Sequence, residues 1–165
     1  MKTKLFGAAG ILLSACLFAA AMPKADFSGA WVMDRARSFG LPGNMQQTMT
    51  VTQTDGQIDV ETKLIQPDNE RTVKDTFLFD GKEHDFTPAT PPNAPPAKGK
   101  RTASWLPDGS GILVNEVVTT ETPKGTVTTQ VTKKWTFTGA GELTIALYVD
   151  GPNGSYEAKR IFTKK

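Results

Sequence analysis

The chain has 165 residues, of which 38% are hydrophobic and 22% are charged, and it contains one cysteine and one histidine. A single cysteine excludes a disulfide scaffold and a zinc site built from cysteines. Of the 19 basic residues, Lys2 and Lys4 belong to an N-terminal leader, so 17 basic residues remain against 17 acidic ones. A neutral body without a basic stripe argues against a nucleic-acid partner, because such binding depends on clustered Lys and Arg.

Residues 1–21 have the three parts of a secretory signal peptide. Lys2 and Lys4 give a positive start, residues 5–18 form an apolar core, and three alanines at 19–21 make a small-residue cleavage site. The leader predicts that the mature protein is extracytoplasmic, either periplasmic or secreted.

Cys16 offers a second interpretation of the leader. Leu13-Ser14-Ala15-Cys16 matches the lipobox of bacterial lipoproteins, whose cysteine is acylated and anchors the protein to a membrane. The residues that follow are apolar, whereas a lipoprotein tether is usually polar. Soluble export is therefore favoured, lipidation of Cys16 stays open, and a membrane partner is expected only if that lipidation occurs.

The body of the chain, residues 26–165, predicts one all-β domain. Apolar and polar residues alternate with period two, which is typical of half-buried strands. The predicted strands are Ala30–Asp34, Gln47–Gln53, Gln57–Ile65, Arg71–Phe79, Lys82–Phe86, Lys100–Leu106, Gly111–Val118, Thr126–Phe137, Leu143–Asp150 and Ser155–Phe162.

Turn signals separate these runs at hairpin spacing. They are Asp55-Gly56, Asp80-Gly81, Asp108-Gly109, Lys124-Gly125, Gly139–Gly141 and Asn153-Gly154. About eight to ten strands joined by tight turns predict an antiparallel up-and-down β-barrel, which leaves no open edges. A β-sandwich is the alternative.

Residues 87–99 interrupt the strand pattern because they hold five of the eleven prolines. Proline cannot donate to a β-ladder, so the segment is expected to be an extended loop. Its role is open between a solvated excursion and a flap or docking segment.

Both ends of the domain resemble the calycins, the group of ligand-binding barrels that contains lipocalins and fatty-acid-binding proteins. Residues 26–34 resemble the Gly-x-Trp first strand, through Gly29 and Trp31, and Arg160-Ile161-Phe162 is similar to the closing Arg-x-Tyr of fatty-acid-binding proteins. The chain looks most like the bacterial exported lipocalin-like group. The resemblance implies a barrel that binds a small ligand.

The chain departs from that pattern at two places. Residues 35–45 are interrupted by Gly40, Pro42 and Gly43, so they are too short and broken for the helix-turn-helix lid of fatty-acid-binding proteins. Phe162 stands where that family has a tyrosine, so the hydroxyl that would share a bound carboxylate is missing.

Parity places several charges on the apolar face of their strands, and hence inside a barrel. They are Arg101, Glu116, Lys133 and Arg160. A buried charge is costly without a partner or a ligand, and three cations against one carboxylate leave an excess of positive charge. We therefore expect the interior to bind the anionic head of an amphipathic molecule, with Arg as the forked donor.

Structural roles compete with ligand binding at each of these charges. The resemblance implies that Arg160 packs over the Trp31 ring as a cation–π contact at the base of the barrel. Arg101 and Glu116 would instead form a cross-strand ion pair, and Lys133 would reach solvent at a strand end with its stem buried.

Aromatic side chains are candidates for the lining of a pocket, although period-two aromatics are more often core. They are Phe77, Phe79, Trp105, Trp135 and Tyr156. His84 lies between Glu83 and Asp85, but a single histidine without a second His or Cys does not complete a zinc site, and no nucleophile motif accompanies it. No metal, cofactor or catalytic residue is predicted.

The sequence therefore predicts an exported binding protein, not an enzyme, for a small hydrophobic or amphipathic ligand, with ligand contacts at Arg101, Lys133, Arg160, Trp105, Trp135 and Tyr156. The alternative is a protein-interaction or inhibitor module of the cell envelope with a solid core.

Overall fold

The computed structural model describes residues 23–40, 44–67, 69–90 and 94–165. The predicted leader and Cys16 lie outside these residues. The described chain contains ten strands: β1 Gly29–Met33, β2 Gln46–Gln53, β3 Gln57–Gln66, β4 Asn69–Leu78, β5 His84–Phe86, β6 Ala97–Trp105, β7 Gly111–Thr122, β8 Gly125–Gly139, β9 Glu142–Gly151 and β10 Gly154–Lys164.

All ten strands belong to one curled antiparallel sheet. The strand order is β4-β3-β2-β1-β10-β9-β8-β7-β6-β5, so every neighbour pair except β1–β10 is consecutive in the chain. The tight turns use glycine where φ is positive, as at Gly109 (69°) and Gly141 (73°), because a side chain is strained there. The predicted up-and-down barrel is confirmed, and the sandwich alternative is wrong because the strands form one sheet.

The sheet closes on itself without a hydrogen-bonded ladder at one seam. Strands β4 and β5 end the sheet, and β4 packs near β6 across the seam. The described backbone shows no β4–β6 or β4–β5 pairing. Side chains therefore hold this seam together.

The strand boundaries differ from the predicted ones mainly around the proline-rich segment. Residues 97–99 were expected to lie in the loop but form the start of β6, where Lys98 pairs with Thr119 and Gly99 with Val118. The last proline of this segment is Pro96, so residues 97–99 all have the N–H that a ladder needs. The described residues of the proline-rich segment that lie outside the strands are 87–90 and 94–96.

We divide the barrel along its axis into a lower half and an upper half. The lower half lies at the end where β1 begins and where the β2–β3, β6–β7 and β8–β9 turns gather. The upper half lies at the end of the β3–β4, β7–β8 and β9–β10 turns. The buried core belongs mostly to the lower half: Phe27, Trp31, Val51, Ile58, Phe77, Ile112, Val114, Trp135, Leu143 and Phe162.

Residues 34–40, the described first part of the connection between β1 and β2, form a turn and then pair with β10 instead of forming a helical lid, and we call them the bulge. After Asp34 the chain leaves the ladder, and Phe39 returns to pair with Lys159 of β10. Between them, the Ser38 hydroxyl accepts a hydrogen bond from the backbone N–H of Ile161 at 3.0 Å. None of the described residues forms a helix, so these residues contain no helix that could cross a membrane.

Candidate ligand-binding lumen

The inner face of the barrel changes character from one half to the other. Most inward apolar residues of the lower half are buried, with Phe137 (36% exposed) as an exception, whereas several in the upper half stay partly exposed. The partly exposed set is Leu64, Val73, Val118, Val131 and Val149. Apolar side chains inside a barrel keep exposed surface only where other side chains do not fill the space. The inner face of the upper half is therefore partly open to solvent, and we call this space the lumen.

Phe27 fills the lower half. It is fully buried, and its ring lies 5.0 Å from the Phe137 ring, 5.9 Å from Trp135 and 6.2 Å from Trp105. The Gln53 side chain fixes the preceding arm, because Oε1 accepts the Phe27 N–H at 3.0 Å and Nε2 donates to the Ala25 carbonyl at 2.9 Å. This aromatic group forms the floor of the lumen.

Arg101 holds the seam between β4 and β6. Its Nη2 donates to Asp75 Oδ1 at 2.7 Å and its Nη1 to the Thr76 carbonyl at 3.2 Å, both on β4. The guanidinium also stacks 4.7 Å from the Phe77 ring and 3.9 Å from the Phe86 ring. Arg101 thus supplies the cross-strand contacts that the missing backbone ladder does not.

Gly99 makes room for the Phe86 ring beneath this guanidinium. A Cβ at position 99 would lie 2.3 Å from Phe86 Cε1, well inside contact distance. Because Phe86 and Gly99 face each other in the β5–β6 ladder, the ring lies flat over the glycine.

Glu116 completes a group of four interior charges. It faces Arg101 directly in the β6–β7 register, and its Oε1 accepts hydrogen bonds from Arg101 Nε at 2.9 Å and Lys133 Nζ at 2.8 Å. The predicted cross-strand ion pair is therefore present. One hypothesis was that Lys133 reaches solvent at a strand end. In the structure, Lys133 bonds to the buried Glu116 carboxylate instead.

The four charges balance, which corrects the expected excess of positive charge at this place. The sequence analysis counted Glu116 as the interior carboxylate and missed Asp75, whose side chain is 24% exposed and faces the same lumen. Two basic and two acidic side chains then compensate one another. We call Asp75, Arg101, Glu116 and Lys133 the charge quartet.

Arg160 is the interior cation that the quartet does not compensate. It lies on the inward face of β10 between Ala158 and Phe162, and its buried Nε has no hydrogen-bond partner in the described chain. Burial lowers the pKa of the Arg160 guanidinium, and the nearby Tyr156 phenol partly offsets that effect. The group stays charged, because an arginine guanidinium is not deprotonated in proteins.

Trp31 is covered by a different cation from the expected one. Lys164 Nζ lies 5.5 Å from the Trp31 ring centroid, on the strand next to β1, and the described residues show no cation–π contact between Arg160 and Trp31. Lys164 faces Trp31 in the β1–β10 register, whereas Arg160 lies four residues farther along β10. Arg160 instead lies in the cross-strand row of Ile145 and Trp135.

The predicted aromatic residues separate between floor and rim. Trp135 is 3% exposed and packs edge-on against Phe27 and Phe77, while Trp105 stacks on Phe79 at 5.0 Å. Tyr156 is 58% exposed at the upper rim. The structure therefore places both tryptophans in the floor and Tyr156 near Arg160.

His84 lies in β5 at the surface, where its Nε2 is 2.9 Å from Asp80 Oδ1. This contact is the main cause that lowers the pKa of the Asp80 carboxyl. The described residues contain no cluster of three or more His, Cys, Asp or Glu side chains arranged to hold a metal ion.

Two features of the lumen were missed at the level of sequence. Asp75 shares parity with Val73 and Phe77 on β4, so the alternation did contain the signal. Phe27 precedes the first strand, and nothing in its local sequence indicates that it folds back under the barrel.

Comparisons with known proteins support the fold. No family model matches the chain, and no curated protein matches it. Among solved structures, zebrafish ileal bile acid-binding protein complexed with cholic acid is similar, with a TM-score of 0.51 and 18% identity. The match covers 84% of this chain and 98% of that one. The two chains share a fold. At this identity the likeness shows the fold alone.

Proposed function

We propose that the protein binds a small hydrophobic or amphipathic ligand, whose anionic head reaches Arg160 beside the aromatic floor and whose chain lies in the upper half of the barrel, and that it does not convert this ligand. The observation that carries this proposal is the lumen itself, whose inward apolar side chains remain partly exposed above an aromatic floor. Small-molecule sites are typically concave and mostly apolar, with a few placed polar groups.

Arg160 is the reason for proposing that the ligand has an anionic head. Among the interior cations it is the one without an ionic or hydrogen-bonded partner in the described chain, while Arg101 and Lys133 are held by carboxylates. A forked guanidinium in a partly dry site binds a carboxylate more strongly than a neutral donor does. Arg160 is therefore the proposed head-group contact.

The test compares hexadecanoic acid with hexadecan-1-ol by calorimetry or displacement of a fluorescent probe. Arg160→Met should weaken acid binding about 10- to 100-fold, as expected for a lost charge-assisted bond, and leave the alcohol unchanged. Lys159→Met is the matched control, because Lys159 is the next residue and points to the outer face. Equal acid binding by Arg160→Met and wild type, or no binding of either ligand, would overturn the proposal.

We also propose that the domain is exported, on the basis of the leader at residues 1–21. Expression of the full chain in a Gram-negative host, followed by fractionation and intact-mass measurement, tests this. Cleavage before Met22 supports soluble export, and a diacylated N-terminal cysteine that Cys16→Ser abolishes supports lipoprotein processing. A full-length chain retained in the cytoplasm contradicts both routes.

A further inference from the structure

Glu116 has one carboxylate oxygen that the charge quartet does not use. Arg101 and Lys133 both donate to Oε1. Oε2 receives none of these bonds, and it is not among the polar atoms that are sealed from solvent without a partner, which are Gln46 Oε1, Trp105 Nε1, Trp135 Nε1 and Arg160 Nε. Glu116 as a residue is only 5% exposed. Glu116 Oε2 therefore has no hydrogen-bond donor among the described residues and is not completely sealed from solvent.

The position of Glu116 directs this acceptor into the lumen. Its side chain shares the inward face of β7 with Val114 and Val118, and it lies directly opposite the inward Val131 on β8. Val118 and Val131 are two of the partly exposed apolar residues of the upper half. The free oxygen is thus surrounded by the surface that a ligand would cover.

The acceptor lies far from Arg160 along the sheet. Following the register from Glu116 on β7 across β8 and β9 leads to Tyr156 on β10, three strands away. Arg160 lies four residues after Tyr156 on that strand, toward the lower end. At about 4.8 Å per strand and about 3.3 Å per residue, the path along the wall is on the order of 20 Å, and the distance across the curved lumen is shorter. One elongated molecule can therefore contact both groups.

We propose that the ligand of this lumen is a hydroxylated acid, whose carboxylate binds Arg160 and whose mid-chain hydroxyl donates to Glu116 Oε2. This inference rests on the proposed function and adds a second polar group to the ligand. A plain alkyl chain would cover Oε2 without donating to it, and burying an unpaired carboxylate oxygen is costly. Through Glu116, the lumen should therefore bind a chain with a mid-chain hydroxyl more tightly than a plain chain.

The experiment measures affinities of octadecanoic acid and of its 2-, 9- and 12-hydroxy derivatives for the wild-type protein. At least one mid-chain hydroxyl should raise affinity about tenfold, the value of a hydrogen bond to a charged group. The 2-hydroxy acid should gain nothing, because its hydroxyl lies beside the head group. Equal affinities for all four acids overturn the inference, and show that Oε2 is served by water instead.

Two variants identify the acceptor. Glu116→Gln should reduce the preference for the mid-chain hydroxyl, while Asp75→Asn removes a charge from the same quartet and should keep it. If Glu116→Gln does not fold, the wild-type affinities still decide the matter. A preference that survives in folded Glu116→Gln contradicts the assignment.

These measurements separate the two proposals. If octadecanoic acid binds through Arg160 and no hydroxyl position matters, the inference about Glu116 fails and the proposed function stands. If none of the acids binds, the proposed function fails.

Discussion

The lower and upper halves of the barrel are built from the same strands with the same alternation, yet one is packed and the other is open. In the lower half, Phe27 enters from outside the sheet and the inward residues of several strands are aromatic. In the upper half the inward residues are mostly valine, threonine and charged side chains, which are too small or too polar to meet across the lumen. One fold thus divides stability and binding between its two ends.

The largest expected effect tests the packed half. Phe27→Ala removes the ring that contacts Trp105, Trp135 and Phe137, and should lower the free energy of unfolding by about 4 kcal/mol, as large-to-small changes of buried aromatics do. Denaturant titration measures the loss. Phe39→Ala is the control, because Phe39 is 52% exposed. If Phe27→Ala loses no more stability than Phe39→Ala, Phe27 does not form the floor.

The next effect tests the seam where β4 meets β6 and the sheet closes. Arg101→Met leaves Glu116 and Asp75 without their shared guanidinium, and should cost about 3 kcal/mol, because an uncompensated buried carboxylate is strongly unfavourable. Lys98→Met, an exposed site on the same strand, should change stability by less than about 0.5 kcal/mol. Similar unfolding curves for both variants would show that backbone packing alone closes the seam.

A matched pair of valines on β7 compares the halves directly. Val114 is fully buried and Val118 is partly exposed, although both face inward and lie four residues apart. Val114→Ala should cost about 2 kcal/mol and Val118→Ala less than about 1 kcal/mol, since the second site has less buried surface to lose. Equal losses would indicate that the upper half is packed in solution.

Much of the barrel was readable from the sequence because its signals are local. Alternation gave all ten strands, and the glycine turns placed them in order; the parity rule put Arg101, Glu116 and Lys133 on one interior face. The partner of a charge is not local. Asp75 meets Arg101 across an unpaired seam, and the stacking of Lys164 in place of Arg160 over Trp31 depends on the β1–β10 register.

The openness of the lumen was also beyond the sequence, because it depends on how far side chains extend across a curved sheet. Alternation marks Val114 and Val118 as equivalent, and only the position of the aromatic floor distinguishes them. The ligand-binding role of Arg160, Tyr156 and the tryptophans accordingly remains a prediction for the binding experiments.

The smallest expected effect concerns the bulge outside the barrel. Arg37 donates to Asp34 and also contacts Glu142 of β9, each at 2.7 Å. Hydrogen bonding to Arg37 is the main cause that lowers the pKa of Asp34, and for Glu142 the Thr138 hydroxyl comes first and Arg37 second. Because both carboxyls have lower pKa values folded than unfolded, they stabilise the fold above their unfolded values and lose that contribution as the pH falls through the folded ones.

Arg37→Gln should therefore be slightly less stable than wild type at pH 7, and the difference should shrink below about pH 4, where the carboxyls become protonated. Urea titrations at pH 7, 4 and 3 measure it, with Lys98→Gln as an exposed control. The effect should be small because the three side chains are solvated and exposed ion pairs contribute little. If the stability difference between Arg37→Gln and wild type stays constant with pH, Arg37 stabilises the bulge through packing. Its ion pairs with Asp34 and Glu142 would then contribute nothing.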